Sequence, residues 1–120
     1  MAIQVNLATT GFVGVTALTA GELSSANNAQ TVAVNTVYAL TGDTDFSVSL
    51  PSPNATDEFE GSVIIFKNLT TAGTTVIIGR QDSVLIDGQD ADAETDVPGQ
   101  VLSFYYINPT IGWLAGPAVL

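Results

Sequence analysis

The sequence predicts an all-β domain, either an antiparallel β-sandwich or a jelly-roll-like barrel, with a short extended arm at its N-terminus. Two observations predict it. Apolar and polar residues alternate with the two-residue period of a half-buried strand, as where Phe46, Val48 and Leu50 alternate with Ser47 and Ser49. Turn-forming pairs then separate the strand-like runs at short intervals: Gly42–Asp43, Asp87–Gly88, Pro98–Gly99 and Asn108–Pro109.

Each element follows in order. Residues 1–30 are small and weakly patterned, with Gly11, Gly14 and Gly21 ahead of a polar run from Ser24 to Gln30. No 3.6-residue stripe supports a helix there. Two readings fit this stretch: an arm that docks on a neighbour, or an edge strand and turn of the same domain. Residues 31–120 form the β-module. In Thr31–Leu40, Val32, Val34, Tyr38 and Leu40 share one face. Pro51 and Pro53 stop the next strand, because proline cannot donate to a ladder. Val63–Phe66 is apolar on both faces, as in a strand covered on two sides. The turn at Thr71–Gly73 then leads into Thr74–Ile78, which predicts a hairpin. A short strand at Ser83–Ile86, an aromatic strand at Val101–Ile107 and a last strand around Trp113 complete the set.

The 120 residues suit one compact domain. Apolar residues make up 46% of the chain and charged residues only 12%, about half the usual share. So little charge predicts that part of the surface is covered by copies of the chain or by a partner. Twelve acidic residues stand against Lys67 and Arg80 alone, a formal net charge of −10. That balance opposes binding to nucleic acid, which needs cations against phosphate, and opposes docking on anionic membrane. The chain has no Cys and no His, so thiolate chemistry and the commonest general base are absent. The first residues predict neither a signal peptide nor a membrane span. No nucleophile and base pair stands out, so no enzymatic activity and no cofactor are expected.

One ordered set of features resembles a known family. A polar alternating strand ends in Leu50–Pro51, and an acidic loop reaches Gly61. Val63-Ile64-Ile65-Phe66-Lys67-Asn68 follows, then Val76–Ile78, Ile86-Asp87-Gly88, Pro98-Gly99-Gln100, the aromatic strand and Trp113. This set, over residues 31–115, resembles a β-module of tailed-phage tail fibres, head fibres and capsid decoration (cement) proteins. The resemblance implies a homotrimeric virion protein made in the host cytoplasm, with the major capsid protein as partner. Fibre members carry long shaft segments, which are not seen here, so the expectation is a protein of the capsid surface. The alternative is a short fibre or knob that binds a host glycan. The resemblance implies no catalytic residue.

Two groups are candidate sites. Asp90, Asp92, Glu94 and Asp96 alternate along an acidic loop and form a weak calcium candidate, although the spacing is not that of an EF-hand. Phe12, Val13, Tyr105, Tyr106 and Trp113 are the candidate interface residues, since Tyr and Trp are enriched where subunits meet. Asp57, Glu58 and Glu60 read as solvated surface, and Asn54 and Asn68 match the glycosylation pattern by coincidence.

Overall fold

The computed structural model describes residues 18–52 and 60–116. Among the described residues nine strands run in chain order: β1 Thr19–Leu23, β2 Gln30–Thr31, β3 Thr36–Leu40, β4 Phe46–Ser49, β5 Val63–Asn68, β6 Val76–Gly79, β7 Ala93–Thr95, β8 Val101–Asn108 and β9 Gly112–Gly116. They form two sheets, one ordered β1-β3-β5-β8-β9 (sheet A) and one ordered β2-β4-β6-β7 (sheet B). The fold is an all-β sandwich, as the period-two patterning predicts.

Its strand directions differ from the expectation. Antiparallel pairing holds for β5–β8, β6–β7 and β8–β9. The pairs β1–β3, β3–β5, β2–β4 and β4–β6 are parallel. The reason is that the chain changes sheet at each step from β1 to β6, so strands that share a sheet run the same way. The predicted hairpin between β5 and β6 is therefore not one. Thr74 N–H does bond Thr71 O at 3.1 Å, and Gly73 holds φ +92°, but this turn carries the chain from sheet A to sheet B. A turn signal encodes a change of direction, and it does not encode which sheet receives the next strand.

Three further boundaries are corrected. The run Thr31–Leu40 is broken, because Asn35 adopts φ +57° between β2 and β3. Ser83–Ile86 forms no strand; Ile86 alone makes bridges, to Gln89 and to Trp113. Within residues 1–30, for which the sequence leaves open both an arm and an edge strand with a turn, Thr19–Leu23 forms β1 and Gln30 begins β2, and Leu23 is buried in the core. They are the edge strands of the sandwich. Residues 1–17 lie outside the described residues.

Inward positions fill the space between the sheets. From sheet A come Leu23, Tyr38, Leu40, Ile64, Phe66, Phe104, Tyr106 and Trp113, and from sheet B come Phe46, Val48, Val76 and Ile78. The rings interlock. Tyr38 stacks on Phe66 at 5.7 Å, Phe104 meets Phe66 edge-on at 5.7 Å, and Tyr106 meets Trp113 at 5.2 Å. Such pairs each add about 0.5–1.5 kcal/mol beyond the area they bury.

A tight turn closes one edge of sheet A. Asp87 (φ +51°) and Gly88 (φ +74°) form a two-residue turn of type I′ geometry, with reciprocal bonds between Ile86 and Gln89. That turn lies along β9. Trp113 N–H bonds Leu85 O, Asp87 N–H bonds Trp113 O, and Ala115 N–H bonds the Asp87 carboxylate, each at 2.8 Å. Gly112 must be glycine for this contact, since its φ is +80° and a Cβ would stand 2.4 Å from Leu85 O. Gly112→Ala should cost more than about 2 kcal/mol, because strained backbone and a backbone clash add. Urea unfolding of the variant against the parent checks this, and an unchanged midpoint would contradict it.

Candidate interaction surface

Alternation along the strands of sheet A places every second side chain on its outer face. The pairing register then sorts these residues into rows across the sheet. Ala20, Val37, Ile65, Ser103 and Gly116 make one row. Val63, Tyr105 and Leu114 make the next. Glu22, Ala39, Lys67 and Val101 make the third. The face is thus apolar or small-residue across five strands, about 20 Å wide at the usual strand spacing. Tyr105 is 43% exposed and Leu114 40%.

Its charges cancel. Glu22 and Lys67 are the charged residues on the face, and they sit in the same row. Glu22 accepts a bond from the Thr41 hydroxyl at 2.9 Å, and Lys67 Nζ donates to Gly99 O at 3.0 Å. The outer face of sheet B is of the other kind. There Ser47, Ser49, Ile77, Gly79 and Glu94 point outward, and Ile77 is paired with Glu94. An open groove of about 260 Å³ beside it is lined by Asn28, Asp45, Phe46, Ser47, Thr75 and Ile77. The Phe46 ring is buried, so this groove offers no aromatic platform for a sugar.

The interface candidates separate cleanly. Tyr105 stands on the outer face. Tyr106 and Trp113 are corrected: both are 1% exposed or less and belong to the core, on the opposite side of their strands from Tyr105 and Leu114. Phe12 and Val13 lie outside the described residues. Sequence reading missed Val37, Val63, Ile65 and Leu114 as members of one face. A signal was present in the strand Val63–Phe66, whose apolar residues fill both of its faces.

The acidic loop does not gather its carboxylates on a cation site. Arg80 takes two of them: Nη1 bonds Asp90 Oδ1 at 2.7 Å, and Nε approaches Asp92 Oδ1 at 3.4 Å. The Arg80 backbone N–H also donates to Asp92 Oδ1, at 3.0 Å. The hydrogen bond that Arg80 donates to Asp90, foremost, raises the guanidinium above its ordinary range, and an arginine is in any case charged at every working pH. Glu94 is on β7, pointing away from the core, and Asp96 follows the strand. Among the described residues no three acidic groups are placed to hold a metal ion. Arg80 instead neutralises the first two carboxylates of the run, Asp90 and Asp92.

A second polar group lies inside the sandwich. Asn68, at the end of β5, is 1% exposed. Its amide donates to Thr95 Oγ1 at 3.0 Å, and its carbonyl oxygen accepts from Thr70 N–H at 2.9 Å and from the Thr70 hydroxyl at 2.5 Å. Thr95 in turn donates to Gln100 Oε1 at 2.6 Å. The Asn68 backbone bonds Gln100 O and receives Gly99 N–H. Gly99, with φ +90° after Pro98, gives the predicted Pro98–Gly99 turn type II geometry, closed by Gln100 N–H on Val97 O at 3.1 Å. Buried and bonded at both its nitrogen and its oxygen, the Asn68 side chain is a structural clasp.

No protein-family model matches the sequence, and no characterised protein is significantly similar to it. Among the described residues no helix is long and apolar enough to cross a membrane.

Two outcomes are expected. Asn68→Ala should cost about 2–4 kcal/mol by chemical denaturation, because it strands the buried partners Thr70 and Thr95. Millimolar calcium should leave the melting temperature of the parent within about 1 °C, since only a ligand that binds the native state shifts it. A rise of several degrees would restore the calcium reading.

Proposed function

We propose that this protein is a non-enzymatic structural subunit of a tailed-phage particle, decorating the outer capsid surface as a homotrimer bound to the major capsid protein. The observation that supports the reading best is the neutral, apolar outer face of sheet A on a chain of net charge −10. A face of that kind gains free energy by leaving water, roughly 25 cal/mol per Å² of apolar area before the costs of association. Joining subunits through such a face gives each assembly several attachment points on a shell, which multiplies a modest gain per site. The ordered set of motifs from Leu50 to Trp113 supplies the link to phage decoration and fibre modules.

The charge distribution fits the same role. Arg80 is committed to Asp90 and Asp92, which leaves Lys67 as the remaining side-chain cation for any phosphate or lipid headgroup. Acidic loops around the sandwich repel one another wherever they would meet. They also confine association to the face of zero net charge.

Quantifying this chain against the major shell protein in purified particles by mass spectrometry tests the reading. A copy number comparable with the shell protein is the expected result. A few copies per particle would replace it with the short-fibre alternative and its host glycan. Absence from the particle would remove both.

A further inference from the structure

We infer that the copies of this protein meet through the outer face of sheet A, with Val37, Tyr105 and Leu114 as its contact residues. The inference rests on the homotrimer proposed above and adds where its subunits join.

Charge identifies the occupant. Ten of the twelve acidic residues fall among the described residues, and Glu22 alone of these lies on the outer face of sheet A. The others stand in loops or, for Glu94, on the outer face of sheet B. A cationic partner would be drawn to those loops and would find no attraction on sheet A. A second copy of this chain has the opposite requirement, because it brings the same −10 charge and must avoid every acidic surface. The face where Glu22 is balanced by Lys67 is the place where two copies approach without stacking like charges.

The chemistry of the face suits burial against itself. Its middle is already dry: Ile65 is 7% exposed and Ser103 fully buried, with the Ser103 hydroxyl bonded to Gly116 O at 2.9 Å. No unsatisfied hydroxyl therefore needs to be matched there. Around that centre Tyr105 and Leu114 stand opposite one another on β8 and β9, each about two-fifths exposed. A ring and a branched aliphatic chain side by side give the well-packed anchor that a subunit contact uses. Along its outer edge, β9 is lined by the segment from Leu85 to Asp87, which directs association to the face and away from that edge.

Size-exclusion chromatography with light scattering on the full chain tests this, with Tyr105→Glu and Leu114→Glu as face variants and Ser49→Glu as the control on sheet B. Far-UV circular dichroism confirms the sandwich in each, and two face variants guard against one that fails to fold. The expected result is a trimeric parent and control, with both face variants dissociated at least about tenfold more readily. A trimeric parent whose face variants stay trimeric would overturn the inference and leave the homotrimer standing. A monomeric parent would overturn the homotrimer itself, and this interface with it.

Discussion

The buried amide of Asn68 is the point through which the two sheets hold one another in register. It ends β5 in sheet A, reaches Thr95 on β7 in sheet B, and is bracketed by the turn that starts β8. A buried amide must satisfy both of its ends or cost more than it contributes, so it accepts only one relative position of these strands. The apolar core supplies most of the driving force, but Leu, Ile and Phe tolerate small slips. Asn68 does not. The type I′ turn at Asp87–Gly88 has a similar part at the other edge, where its backbone and carboxylate bond β9 at three places.

This constraint explains why the chain can change sheet at every step from β1 to β6 and still form a single core. Each crossing leaves neighbours in a sheet parallel, and parallel strands need both faces protected more than antiparallel ones do. One face of sheet A is protected by sheet B. The other, with Val37, Val63, Ile65 and Tyr105, is protected within a single chain only at its centre. The surplus apolar surface follows from the topology and is what the proposed assembly would cover.

Much of this was legible in residue order. Alternation in Phe46–Leu50 identified a strand and its inward face, the aromatic run Val101–Ile107 identified a second strand, and Asp87–Gly88 and Pro98–Gly99 identified turns whose positive φ values the structure shows. Strand direction was not legible, because Thr71–Gly73 looks the same whether the next strand joins β5 or crosses to the other sheet. The buried positions of Tyr106 and Trp113 could not be told from interface positions by residue type, since both environments favour aromatic rings. The acidic loop looked like a cation site because its partner, Arg80, lies ten residues before Asp90 and is joined to it only by the fold.

Hydroxyl-radical footprinting of the native assembly tests the central claim most directly, because it reads side-chain exposure without altering the protein. Tyr105 and Leu114 would be oxidised readily in a single chain, at 43% and 40% exposure, alongside Ile77 at 41% and Val97 at 56%. The account predicts that Tyr105 and Leu114 are protected in the assembly and become reactive on dilution to single chains, while Ile77 and Val97 react in both. Equal reactivity of Tyr105 in the two states would contradict it.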